Sequence, residues 1–385
     1  MRLKKQKIKS TIKFTSIMLV ITLFLSTGVM AEVSIGGEFK ATVSGGYFEG
    51  GDITSDISES LDLELFVPPI GDTDFKVQFE ISNPRKMDLL GTLRRINFKK
   101  LNLRHKFDDF HLTIGRQPIS WSFGSILNPV DFTLGAVAMD QETISKYQDA
   151  VEFYYPINWN SSFALIAADH KYSDDIKWGV RGRTGYQGYD LTLTYVKELA
   201  KKNPLAGILP IPGLINGGSG GQALSMDRVG FTAKGDLGPI GAYTSLGYYK
   251  LEGLAEPSYS YLFGGDYSFT YNYDKQISMQ AEYIALKDEE LINTMESSGF
   301  DNIGNTLDLF LGNISYPIDD FSSLSLFTMI SLEDGSIVLI PVYKNQLPGN
   351  IQLSLSSNIF ISDDEKMLSA QGVKAGYQLS LSYAF

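Results

Sequence analysis

The chain has no cysteine and only three histidines among its 385 residues. Disulfide scaffolds, thiolate zinc sites and cysteine nucleophiles are thereby excluded, and little remains for imidazole metal chemistry. Charge is sparse as well, at 20% of residues, and its balance is acidic, with a net charge of −11. Nucleic acid is therefore a poor partner. Beyond residue 31 no apolar run approaches the ~18 residues that a membrane helix needs. The nearest, Pro204 to Ile215, is broken by three prolines and two glycines. Phosphate loops, His-x-x-x-His and EF-hand spacings are missing too, so no cofactor and no metal are expected.

What the chain does have is 37 glycines, 21 tyrosines and 23 phenylalanines, with 43% hydrophobic residues, a composition that leans toward β structure. Its start is different. Arg2, Lys4, Lys5, Lys7, Lys9 and Lys13 precede an apolar run from Phe14 to Met30, and Val29-Met30-Ala31 offers small residues for cleavage. We read residues 1–31 as a secretory signal peptide and 32–385 as one domain. Removing those six cations from 33 leaves 27 against 44 acidic residues, a net charge of −17 for the exported part.

Only helices and closed barrels satisfy every backbone group in lipid, so the exported part is either soluble or a barrel. Period-two alternation bears on the choice. In 373–385, Val373, Ala375, Tyr377, Leu379, Leu381, Tyr383 and Phe385 share one face, with Lys374, Gln378, Ser380 and Ser382 on the other. The pattern recurs in units of about ten residues, the length of a tilted membrane strand. A soluble sandwich alternates as well. Connection lengths separate the two: short links at 68–73, 108–109, 156–160, 185–188, 236–240, 272–275, 317–320 and 345–350 alternate with longer ones, including 49–56, 82–95, 116–148, 197–226 and 285–305. Short periplasmic turns and long outer loops produce this alternation. Many aromatics, among them Tyr47, Phe107, Tyr155, Tyr195, Tyr248 and Tyr283, fall at strand ends, where an amphipathic ring suits the headgroup level. The expected fold is all-β: a transmembrane antiparallel up-and-down β-barrel of about 18 strands, or alternatively 16, in the outer membrane.

The final strand, ending on Phe385, resembles the C-terminal strand of Gram-negative outer-membrane proteins, which implies recognition by the barrel-assembly machinery. In the longest link, Gly115-Arg116-Gln117, Trp121, Gly124 and Asn128-Pro129-Val130-Asp131 are similar to a run found in alginate-export-type and related outer-membrane porins, although Ser122 departs from it. That resemblance implies a loop folded into the pore as a constriction and, by porin analogy, a possible homotrimer.

At 18 strands side chains cannot fill the lumen, and a water-filled channel is the physical default. Strand parity assigns Lys76, Lys100, Arg104, Lys106, His111, Lys177, Arg181, Arg183, Arg228 and Lys234 to the lumen, opposed by Glu80, Glu152 and Asp190. The later strands are expected to present mostly Ser, Thr, Gln and Gly inward, with Asp266, Glu282, Asp308 and Lys374. Candidate constriction residues are Lys100, Arg104, Lys106, Arg116, Lys177, Arg181, Arg183 and Arg228, facing Asp131 or Asp140 on the inserted loop. A transverse field would then select small polar or anionic solutes.

Two enzyme signatures are weak. Asp169-His170 resembles the aspartate-histidine pair of outer-membrane barrel proteases only as a dipeptide, with Ser161 and Ser162 at the other end of the same strand. Gly217-Gly218-Ser219-Gly220-Gly221 lacks the strand and helix of a nucleophile elbow. The expected function is passive or substrate-selective diffusion through a porin, with outer-membrane lipid and small hydrophilic solutes as partners. The alternative is a surface structural or adhesive barrel with a blocked lumen.

Overall fold

Each alternating segment forms one strand. The computed structural model describes residues 33–87, 93–121, 147–169, 176–200, 224–252, 256–271, 275–287, 306–362, 368 and 373–385. In chain order they are β1 (Ser34–Phe48), β2 (Ile53–Phe66), β3 (Thr73–Met87), β4 (Leu93–Lys106), β5 (His111–Pro118), β6 (Tyr147–Pro156), β7 (Ser161–Asp169), β8 (Ile176–Tyr186) and β9 (Tyr189–Ala200). The second half has β10 (Leu224–Leu237), β11 (Ile240–Leu251), β12 (Ser258–Tyr271), β13 (Lys275–Lys287), β14 (Leu307–Pro317), β15 (Ser322–Ser331), β16 (Ile337–Leu347), β17 (Ile351–Ile361) and β18 (Val373–Ala384). Every strand pairs antiparallel with its sequence neighbours, and β1 pairs with β18 from Glu38↔Ala384 to Phe48↔Val373. The sheet is closed. At the seam Gly37 and Phe385 exchange backbone hydrogen bonds, each N–H donating to the other's carbonyl at 3.0 Å.

Closure sorts side chains by parity. Phe39 and Val43 of β1, Ile57 of β2, Phe263 of β12 and Leu379 and Leu381 of β18 point outward and are exposed. A continuous exposed apolar wall of this kind is stable against lipid rather than water. Aromatics bound it at both ends. Tyr47, Tyr195, Tyr248 and Tyr259 lie next to the long links, and Tyr155, Tyr186, Tyr271 and Tyr383 next to the short ones, as amphipathic rings do at the two interfaces.

The short links stand at 67–72, 107–110, 157–160, 187–188, 238–239, 272–274, 318–321 and 348–350. Two long links are no more than half as long as the sequence suggests. The first spans 49–52 because β2 starts at Ile53, its polar Thr54, Asp56 and Ser58 being an inward set rather than loop. The second spans 88–92 because β3 runs on to Met87, past Pro84. Residues 1–31, where a signal peptide is expected, lie outside the described residues.

One short turn is tied by a single carboxylate. In 318–321, Asp319 Oδ1 accepts from the backbone N–H groups of Phe321 and Ser322 and from the Ser322 hydroxyl, at 2.9, 2.7 and 2.7 Å. These donors, the Ser322 hydroxyl foremost, hold the Asp319 carboxyl below its ordinary value. A lowered folded pKa means that the contribution to stability is fully present above the unfolded value of about 4 and is lost as pH falls through the folded value. Asp319→Ala is expected to lower the temperature at which the folded, heat-modifiable gel band disappears at pH 7. The gap from wild type should shrink progressively below pH ~4. A gap that does not change with pH would show that the carboxylate charge plays no part.

Candidate functional site in the lumen

A barrel of 18 strands spaced ~4.8 Å apart and tilted ~40° is roughly 35 Å across between backbones, which side chains from opposite walls do not span. Solvent reaches the inner wall: inward-pointing Asp266, Ser268, Gln352, Asn358 and Gln378 are all exposed.

Register places Lys100, Arg104 and Lys106 of β4 and Lys177, Arg181 and Arg183 of β8 inward, together with Arg228 of β10. They form two groups. Toward the short-turn end, Arg104 donates to His111 Nδ1, Lys106 lies 3.8 Å from Asp74, and Arg183 donates to Asp190 at 3.0 Å. Glu152 sits between them, opposite Thr113 on β5 and Ile166 on β7. Toward the long-link end, Glu198 of β9 bridges Lys177 at 2.8 Å and Arg228 at 3.2 Å. Arg228 is only 1% exposed, so this second group is built into the wall.

The remaining candidates lie elsewhere. Arg116 has the outward parity of Leu112 and Ile114, and its guanidinium meets Asp149 at 3.3 Å and the Phe98 carbonyl. A lumen-lining assignment for Arg116 is therefore corrected: it stands two positions on from Ile114, and the strand keeps its pleat. Asp131 and Asp140 lie outside the described residues, as do His170 and Gly217–Gly221. Asp169 and Ser161, at opposite ends of β7, are separated by roughly 26 Å of strand, too far for joint chemistry.

The long link enters the lumen at its start. Ile119 and Trp121, which follow β5, are buried with inward-pointing Ala150, Ile166, Ala168 and Val196 on β6, β7 and β9. The indole lies on Gly179 of β8, where an added Cβ would come within 3.0 Å of the ring. Arg181 covers it, with its guanidinium carbon 5.6 Å from the ring centroid, and donates to the Ser120 carbonyl at 3.5 Å. Glycine leaves the space, the aliphatic wall supplies the apolar contact, and the cation caps the π face. Tryptophan, glycine and arginine on two separate elements thus make one seat.

Three features escaped the sequence. A β-bulge at Lys99, where Gln78 pairs with Lys100 but Phe79 with Phe98, turns both lysines inward. Lys99 then meets Asp62 and, at 3.5 Å, Glu80, while Lys100 meets Glu64 at 3.3 Å. The inward acids of β2 therefore neutralise part of the expected basic arc. On β14 the expected parity is reversed: Leu307, Leu309 and Leu311 point inward and are fully buried, whereas Asp308 points outward and accepts from the Tyr283 hydroxyl at 2.9 Å. With Leu262, Ile284 and Leu286 these leucines make the long-link half of the β12–β14 inner wall largely apolar and covered, with buried Ser258 and Ser260 beside them on β12.

No protein-family model matches the chain, and no curated protein does. Solved structures do. OccAB1 of Acinetobacter baumannii aligns with a TM-score of 0.56 over 94% of this chain and 98% of its own, at 9% identity. A BenF-like porin from Pseudomonas fluorescens Pf-5 gives 0.56 over 93% and 100%, also at 9% identity. OccAB3 of Acinetobacter baumannii gives 0.53 over 92% and 100%, at 11%. The chain has the fold of an outer-membrane porin. With its apolar outer wall and two aromatic belts, this porin-fold barrel is an integral protein of the outer membrane.

The seat of Trp121 is open to a direct test. With Trp159 and Trp178 replaced by phenylalanine, emission reports Trp121 alone. Gly179→Ala is expected to shift that emission to longer wavelength as the indole leaves the wall. An unchanged spectrum in a variant that keeps its heat-modifiable band would mean that the ring does not rest on Gly179.

Proposed function

We propose that the protein is a porin through which small polar or anionic solutes diffuse passively or with substrate selectivity. The reading is carried by one observation: a closed 18-strand cylinder, too wide for its side chains to fill, whose inward polar groups are exposed to solvent. Arg104, Lys106, Arg181 and Arg183 supply the selectivity, gathered toward the short-turn end with Glu152 among them. In a passage with low-dielectric walls such a cluster focuses its field on passing ions. The link after β5 acts as the constriction, anchored by Trp121 under Arg181. Catalysis is not part of this reading.

A second reading is favoured by a separate observation. The covered apolar wall of β12–β14 suits a lumen occluded on that side, and the protein would then be a structural or adhesive barrel.

Planar-bilayer recording separates the two. The purified protein is expected to show stable open steps, and their absence would favour the occluded barrel. Arg181→Gln with Arg183→Gln is expected to reduce anion preference severalfold, with conductance retained. Unchanged selectivity would remove these arginines from the filter.

A further inference from the structure

The outer wall carries a feature that solute passage does not use. Lys197 of β9, Asp227 of β10 and Lys250 of β11 are consecutive cross-strand neighbours on the outward parity, next to the long links. Lys287 of β13 lies one pleat further in, in register with Tyr259 of β12, Tyr248 of β11 and Tyr195 of β9. Among these cations is a shelf of rings. Trp178 packs on Tyr195 at 5.3 Å between centroids, and Tyr248 on Tyr259 at 5.5 Å. Tyr195 donates to Asp227, which lies 3.9 Å from Lys197, and Tyr283 donates to Asp308. Lys250 and Lys287 are exposed, and among the described residues neither makes an ion pair. At this end of β14–β18, β1 and β2, no described outward position holds a lysine or arginine. Arg116 of β5 also faces outward, but it is paired with Asp149.

Long apolar stems let lysines lie along the wall while the ammonium groups reach the headgroup layer. Short turns facing the periplasm put this row at the outer leaflet. Three ammonium groups suit phosphate. Asp227 between two of them and Asp308 beyond the third suit hydroxyl donors, and the rings among them suit the face of a sugar. We propose that the outer wall of β9–β13 binds a phosphorylated glycolipid of the outer leaflet, with Lys197, Lys250 and Lys287 holding its phosphates and Asp227 accepting from its sugar hydroxyls. This inference is independent of how the lumen is used.

Native mass spectrometry of the full chain in detergent, with bisphosphoryl lipid A as probe, tests it. The wild type is expected to retain lipid A and to lose it when the lipid is dephosphorylated. Replacing the three lysines together with glutamine is expected to lower retention by about fivefold or more. Replacing them with arginine should preserve it, which separates charge from misfolding. Single-channel conductance of the glutamine variant should equal that of wild type, because the row lies outside the lumen. Equal retention by the glutamine variant would overturn the proposal. So would equal retention of phosphatidylglycerol, or of dephosphorylated lipid A, by the wild type.

Discussion

In lipid an unpaired backbone amide has no water to turn to, and this single constraint organises the molecule. The β1–β18 seam meets it. Eleven cross-strand partners and the reciprocal Gly37–Phe385 hydrogen bonds join the two ends of the sheet, so no strand is left with an open edge. Once the cylinder is closed, alternation has only two destinations, lipid or lumen, and every side chain is committed to one of them by its place in the register.

The lumen is accordingly more differentiated than the outside. Apart from groups such as Glu59 and the Arg116–Asp149 pair, the outer surface is apolar between two belts of rings, whereas the inner wall changes character with strand and depth. Arginines and lysines gather at the short-turn end of β4–β8, acids of β2 and β3 meet the lysines of β4, and a covered apolar face lines β12–β14. Trp121 marks where the long link after β5 is fastened to this wall, and it does so through contacts on four strands.

Much of this was legible in the chain. Period two in segments such as 373–385 revealed the strands, and the turn residues at the eight short links revealed the count, because both are local signals. Period two also sets Arg104, Arg181 and Arg183 on the opposite face from their apolar neighbours. The misreadings arose where local polarity conflicted with long-range pairing. Asp308 looks like a lumen residue beside leucines, yet the register with β13 sends it outward to Tyr283. Arg116 looks like a pore cation, yet its strand keeps its pleat and gives it to Asp149. Beginning β2 at a run of serine, threonine and aspartate is likewise intelligible only once β1 is seen to pair with it along its whole length.

The bulge at Lys99 has a wider meaning. Ordinarily a strand cannot offer two consecutive side chains to the same side, so the density of charge along any one stave is limited to every second residue. One surplus residue lifts that limit at a chosen height. Lys99 and Lys100 both enter the interior while Phe98 and Leu101 remain in the bilayer. An insertion of a single amino acid thus re-equips the passage with a cation and leaves the lipid-facing surface as it was, a route to new permeation properties that substitution alone does not provide.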